Sequence, residues 1–305
     1  MPTGMIPLVF LVGPTASGKT DWAVKWADKN GGVIVNGDSV QIYRELNIGS
    51  AKPDFTQYPS ISHYLFGLVK APQVWTAGDY RKNALKILHK ELPGNKAFVV
   101  GGSGFYIRAL EKGMYPIRKA SEDIMEELNT LYKSKGLEFL YKELQKKDPE
   151  HARKIGLEDR YRVLRSLAII KSEGCSVSEI KRRFSPEKLP WPYLKIGLDI
   201  SREELVKRVE NRTRIMLKKG LIEETEDLLH RGFESWKPLQ SVGYRESVLF
   251  LKGKLSKDAL YSQIVQNTLS LAKKQKTWFQ KDKDIIWYDF KADPLTVYKK
   301  IFQKK

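Results

Sequence analysis

The sequence predicts an α/β fold, a parallel sheet flanked by helices with an all-helical insertion, and three observations predict it. Short apolar runs at 6–12, 33–35, 97–100 and 194–200 alternate with amphipathic stretches of helical spacing. Strands separated by helices run parallel, because each helix carries the chain back over one face of the sheet. Between Ser121 and Pro190 the strand-like runs stop and charged helical sequence replaces them.

The first run, Ile6-Pro7-Leu8-Val9-Phe10-Leu11-Val12, ends in Gly13 and gives way near Lys19 to helical spacing, a strand–loop–helix unit. Val33-Ile34-Val35 is a second buried strand and leads into Asn36-Gly37-Asp38-Ser39-Val40-Gln41. Tyr80, Leu85, Leu88 and Leu92 predict a helix over Thr76 to Leu92, and Ala97 to Val100 is a strand running into Gly101-Gly102-Ser103-Gly104. After the insertion, the run from Leu194 to Ile200 rejoins the sheet. Ser201-Arg202-Glu203-Glu204 reads as a capping box, and the helix it opens stops near Gly220. A second long helix is expected from Ser256 to Phe279, and Ile285-Ile286-Trp287-Tyr288 is an edge strand. These elements divide the chain into a core, residues 1–120 and 191–305, and an insertion, residues 121–190.

Composition narrows the function. The 305 residues carry 54 Lys plus Arg against 36 Asp plus Glu, a formal charge of +18. The excess is densest at the end, with ten basic and four acidic residues from 273 to 305. Such a balance calls for a polyanion partner, nucleic acid first, with a solvated Lys-rich face as the competing reading. No apolar stretch approaches the roughly 20 residues of a membrane helix, and no basic leader precedes the first one, so neither a membrane protein nor a signal peptide is expected. The one cysteine, Cys175, excludes an internal disulfide and a zinc cluster and fits a reducing cytoplasm.

Gly13-Pro14-Thr15-Ala16-Ser17-Gly18-Lys19-Thr20 has the spacing G-x-x-x-x-G-K-[ST], after a buried strand and before a helix. Its glycines let backbone N–H groups converge on an anion, Lys19 adds a positive charge, and Thr20 can ligate Mg²⁺. The core is therefore expected to be a P-loop NTPase-like sheet binding a diphosphate or triphosphate. A hydrolysing motor would also need a strand ending in an acid that holds Mg²⁺. The strand at 97–100 ends in Gly101-Gly102, and the one at 33–35 reaches Asp38 only after Asn36 and Gly37.

Asp38-Ser39-Val40-Gln41-Ile42-Tyr43 and Asn47-Ile48-Gly49-Ser50-Ala51-Lys52-Pro53 extend the phosphate loop into a larger pattern. With Val99 to Ile107, Gly220-Leu221-Ile222-Glu223-Glu224, Ser241 to Glu246 and Lys273-Lys274-Gln275-Lys276-Thr277-Trp278-Phe279, the chain resembles the tRNA dimethylallyltransferases, or tRNA isopentenyltransferases. The resemblance implies transfer of a dimethylallyl group from dimethylallyl diphosphate to N6 of the adenosine 3′ to the tRNA anticodon, with Mg²⁺. It implies Asp38 as the general base and Ser103, where the family usually has Thr, as a second catalytic hydroxyl. It places the diphosphate on Gly13, Thr15, Ala16, Ser17, Gly18, Lys19 and Thr20, with Mg²⁺ on Thr20. It places tRNA on Asp38, Ser39, Val40, Gln41, Ser103, Tyr161, Arg162, Arg165, Lys273 and Lys274. Tyr161, Ala168, Gln266 and Leu269 depart from the family pattern.

The residues themselves allow other readings at several of these positions. Asp38 suits an N-cap or a Mg²⁺ ligand as well as a base, and Ser103 suits a turn beside Gly104. Arg212 falls on the apolar stripe Leu205, Val209, Met216 and so points inward, toward the substrate diphosphate or toward a buried acid. The alternative activity is a small-molecule or nucleotide kinase, which needs neither the charge nor the insertion. A monomer is expected, since tRNA is a large, asymmetric partner.

Overall fold

The computed structural model describes residues 8–115, 117, 120–185 and 187–297. The apolar runs form the strands β1 (Leu8–Val12), β2 (Val33–Asn36), β4 (Ala97–Val100), β5 (Tyr193–Asp199) and β6 (Ile285–Asp289), and a short strand with no such run, β3 (His63–Tyr64), joins them. Ile6 and Pro7 of the first run, and Lys299, Lys300, Lys304 and Lys305 of the basic C-terminal stretch, lie outside the described residues. All six strands pair in parallel in the order β3-β2-β4-β1-β5-β6. β1, β2 and β4 are buried along their whole length, which is why their sequences are continuous apolar runs without polar alternation.

Helices α1 (Lys19–Asn30), α2 (Ala77–Glu91) and α3 (Gly104–Lys112) follow β1, β3 and β4. Trp22, Ala23, Val24, Trp26 and Ala27 of α1 are buried, with the Trp26 ring 4.4 Å from that of Phe98 on β4. Thr76 and Asp79 close a reciprocal capping box on α2. The buried stripe of α2 is Ala77, Tyr80, Ala84 and Leu88, and Leu85 sits half-buried at its margin. The helix is rotated slightly from the expected facing because two alanines, and not Leu85, make the close contacts.

The insertion consists of α4 (Glu122–Lys147), α5 (Pro149–Ala152), α6 (Arg160–Glu173) and α7 (Val177–Arg183) around its own core of Leu128, Leu140, Leu144, Val163, Leu167 and Ala168. α4 is broken at Gly136, whose φ of 78° is not helical. Asp148, 2% exposed, accepts from the backbone N–H of His151 and from both the N–H and hydroxyl of Ser178, joining α5 to α7. The compact helical unit runs from Lys112 to Lys188, so it begins nine residues before the boundary expected at 121. After α3 the chain turns at Gly113 and packs beside Phe184 and Glu187, so both connecting segments belong with the helices they serve.

The second part of the core holds α8 (Arg202–Lys218), α9 (Leu221–His230), α10 (Tyr244–Leu251) and α11 (Lys257–Gln280). The Ser201 side chain accepts from the Glu204 N–H and caps α8, the forward half of the expected capping box. No helix of the described residues is long and apolar enough to cross a membrane.

Topology fixes where a ligand can go. From β1 the chain goes to β2 and β3 on one side, returns to β4 beside β1, then crosses to β5 and β6 on the other side. Connections thus leave β1 in opposite directions, and the loops at the carboxyl ends of the strands open into a crevice there.

One buried charge cluster holds β5 in place. Lys195, 3% exposed, donates to Glu111 at 2.8 Å and Asp282 at 2.6 Å, and Tyr193 donates to Glu111 at 3.0 Å. Lys195→Met strands the Glu111 charge inside and is expected to lower the unfolding free energy by about 3 kcal/mol in urea titration. Adding Glu111→Met should restore most of it; a single variant as stable as the parent would contradict this role.

Candidate active site

The phosphate loop leaves β1 at Gly13 and enters α1 at Lys19. Gly13 has φ of 145°, Gly18 85° and Ala16 64°, so the loop holds its curl with two glycines and one strained alanine at positive φ. Lys19 folds back to donate to the Pro14 carbonyl at 2.6 Å. Its ammonium end lies inside although the residue as a whole is half-buried. Burial pulls its pKa down to about 7, with Asp38 opposing the shift and Arg212 adding to it. Ser17 is 1% exposed and its hydroxyl has no partner among the described residues. Thr20 lies in the first turn of α1, at the mouth of the loop.

Asp38 is placed by its neighbour. Asn36, fully buried at the end of β2, accepts from the Asp38 N–H at 2.8 Å and donates to the Asp38 and Leu65 carbonyls, both at 2.9 Å. The Asp38 Oδ1 accepts from the Val40 N–H at 2.8 Å and the Gln41 N–H at 3.3 Å. One oxygen of Asp38 thus caps the turn, and the other makes no hydrogen bond among the described residues.

Arg212 of α8 points inward as its periodicity predicts, and burial lowers its pKa against the opposing pull of Asp38. Among the described residues it has no ion-pair partner; its Nη2 lies 3.5 Å from the Ser50 carbonyl. The acid it senses is Asp38, at more than ion-pair distance. The Ser50 loop is held by Glu224 of α9, whose carboxylate accepts from the N–H groups of Asn47, Ile48 and Gly49 and from the Tyr244 hydroxyl at 2.5 Å. A methyl group on Gly49 would lie 2.6 Å from the Tyr244 ring, which explains the glycine.

Two clefts meet at these residues. The first is lined by Thr15, Asp38 and Arg212 together with the apolar Val40, Met216, Val242, Ile264 and Leu271. The second, more open, is bordered by Ser39, Ser103, Tyr106 and Lys274, with Phe105 and Trp278 57% and 40% exposed beside it. Gln275 of α11 lines both clefts. Its Oε1 accepts from the Thr15 N–H at 2.7 Å and its Nε2 donates to the Gly102 carbonyl at 3.0 Å. A methyl group on Gly102 would lie 2.3 Å from Gln275, and one on Gly104 2.2 Å from Trp278. The glycine at 104 makes room for the Trp278 ring, and the one at 102 lets the Gln275 carboxamide reach the backbone.

The expected site residues thus separate into groups. Gly13, Thr15, Ala16, Ser17, Gly18, Lys19 and Thr20 form one loop, with Asp38 and Arg212 near Lys19. Ser103 accepts from the Ser39 N–H at 2.8 Å and donates to the Ser39 hydroxyl at 3.0 Å, so its first task is to hold Ser39. Val40 faces the first cleft and not the open one. The Gln41 Nε2 is used by the Ser50 and Ala51 carbonyls, which leaves its Oε1 for a ligand. Lys273 is exposed on α11 and Lys274 borders the open cleft. Tyr161, 65% exposed, Arg162, paired with Asp159 at 3.1 Å, and Arg165 stand on α6 of the helical unit. Sequence reasoning assigned no role to Gln275 or Glu224, although both stand inside quoted motifs.

A parallel sheet with a phosphate loop at its carboxyl edge, one cleft reaching that loop at Thr15 and a second meeting the first at Gln275, is the frame of a phosphate-binding protein. Residues 41–282 match the family model described as IPP transferase, and the chain belongs to that family. A protein of Bdellovibrio bacteriovorus named tRNA dimethylallyltransferase is 46% identical over 286 residues, covering 92% of each chain. The solved tRNA isopentenylpyrophosphate transferase of Bacillus halodurans is 30% identical with a TM-score of 0.70, covering 98% of this chain and 95% of its own. A eukaryotic dimethylallyltransferase acting on tRNA, at 23% identity and a TM-score of 0.79 over 96% of this chain and 75% of its own, shares the fold.

The lowered Lys19 pKa has a measurable sign. An anion in the loop favours the charged ammonium, so above pH 7 pyrophosphate binding must take up a proton at Lys19. From pH 7 to 9, affinity relative to a Lys19→Met variant is expected to fall by up to about tenfold per pH unit. Parallel pH profiles for the two proteins in calorimetric titrations would contradict the assignment.

Proposed function

We propose that this chain transfers a dimethylallyl group from dimethylallyl diphosphate to N6 of the adenosine 3′ to the anticodon of tRNA, releasing diphosphate. The observation that carries the reading is the amphipathic first cleft. Its lining combines Arg212, Asp38 and the phosphate-loop residue Thr15 with the apolar Val40, Met216, Val242, Ile264 and Leu271, residue types suited to the two halves of a short isoprenoid diphosphate. A nucleotide kinase would need a purine or acceptor site there, and the relatives' names point the same way as the cleft.

The chemistry follows from the groups present. N6 of adenosine attacks the allylic carbon as its bond to the diphosphate oxygen breaks, and the electron pair leaves on the diphosphate. Lys19, Arg212, the loop N–H groups and the unpartnered Ser17 hydroxyl are placed to stabilise that charge. An adenine amine is a weak nucleophile because its lone pair is delocalised, and the free oxygen of Asp38 is the acceptor for the proton it loses. Ser39, held by Ser103, and the Gln41 Oε1 are the neighbouring base contacts.

Mg²⁺ fits this donor set. Among the described residues no three His, Cys, Asp or Glu side chains gather into a cage. Mg²⁺ does not need one, since it takes a few hard protein oxygens together with substrate phosphates and water. Thr20, whose hydroxyl makes no bond within the described residues, would hold it, and the ion would neutralise charge on the leaving diphosphate.

The adenosine enters from the open cleft as a base turned out of its stack. The basic excess, Lys273 and Lys274 on α11, and Tyr161, Arg162 and Arg165 on the helical unit serve the tRNA. The protein works as a cytoplasmic monomer.

The reading is tested by incubating the protein with dimethylallyl diphosphate, Mg²⁺ and unmodified tRNA, then weighing the digested nucleosides. One adenosine per tRNA is expected to gain a five-carbon group, and Asp38→Ala to slow the gain by roughly 10²–10⁴-fold with tRNA affinity kept. ATP consumption with no change in the RNA would overturn it.

A further inference from the structure

The turn of α11 from Lys274 to Trp278 touches both clefts and the framework on each side of them. Lys274 and Trp278 face the open cleft, Lys276 pairs with Asp199 at the end of β5 at 2.5 Å, and Trp278 closes on Gly104 at the start of α3. Gln275 alone among these joins the two clefts. Its planar carboxamide is used at both ends, accepting from the phosphate loop at Thr15 and donating to the strand end at Gly102. The partners are 260 and 173 residues away in sequence. One side chain of α11 thus ties the phosphate loop at Thr15 to the strand end that leads to Ser103.

We propose that Gln275 is a positioning residue that couples the two substrate sites, so that occupancy of the phosphate loop changes affinity for RNA in the open cleft. This rests on the function proposed above. The carboxamide is suited to the task because it is a donor and an acceptor in one rigid plane. A carboxylate accepts from Thr15 but cannot donate to Gly102, and an alanine does neither. By linkage the effect is reciprocal: whatever factor pyrophosphate applies to RNA affinity, RNA applies to pyrophosphate affinity.

The test measures tRNA affinity of the full-length protein with and without saturating inorganic pyrophosphate, for the parent, Gln275→Ala and Gln275→Glu. In the parent, pyrophosphate is expected to change the tRNA dissociation constant by about fivefold or more, within the usual range for coupled sites. In both variants the factor should fall toward one, whatever change the substitution makes to each single affinity. A purely structural role would weaken one or both single affinities and leave the factor unchanged, which would overturn the proposal. So would a parent with no coupling. Failure to bind tRNA at all would instead count against the proposed function, since coupling presupposes two ligands.

Discussion

Two buried cations share one carboxylate, and the site depends on that imbalance. Lys19 and Arg212 both sense Asp38, and neither forms an ion pair among the described residues. Desolvating positive charge is costly, and Lys19 registers the cost as a pKa near 7. A fold that keeps such a pair is complementary to an anion richer in charge than one aspartate. A diphosphate that gains charge as it leaves is such an anion. The sheet supplies the geometry, since β1, β2, β4 and β5 end side by side and bring the loop, Asp38 and the 101–104 turn to one edge.

The C-terminal helix completes what the sheet begins. Lys276 holds the end of β5 through Asp199, Gln275 spans from the loop to the end of β4, and Trp278 packs on the first residue of α3. Small residues at 102 and 104 make that approach possible. On the opposite wall, Glu224 gathers three successive backbone amides and Tyr244, setting the loop whose Ser50 carbonyl receives Arg212 and Gln41. Asp38 and Lys19 are placed by neighbours in sequence, whereas Thr15 and the Ser50 loop are held by residues distant in sequence.

What the sequence makes legible is what is local. The phosphate loop, the strand-to-helix alternation and the caps of α2, α8 and α11 depend on residues within a few positions of one another, and each is found where periodicity puts it. Arg212 is readable because a helix repeats its faces every three to four residues. Spatial partnership is not readable in this way. Gln275 meets Thr15 across 260 residues and Glu224 meets Asn47 across 177, so their roles surface only when the chain is folded. The start of the helical unit is misplaced by sequence for a related reason, as packing beside Phe184 and Glu187 assigns the segment after Lys112. Asp38 shows a third case, since its Oδ1 caps the turn while the other oxygen stays unbonded among the described residues, a division that sequence does not display.

The most direct measurement is a crystal structure with a dimethylallyl thiolodiphosphate, an analogue whose leaving group departs slowly. The account places its diphosphate on the loop from Gly13 to Thr20 within reach of Lys19 and Arg212, its five-carbon tail against Val40, Met216 and Ile264, and its reacting carbon beside Asp38. A tail lying in the open cleft against Phe105 and Trp278, or a diphosphate away from Arg212, would contradict it.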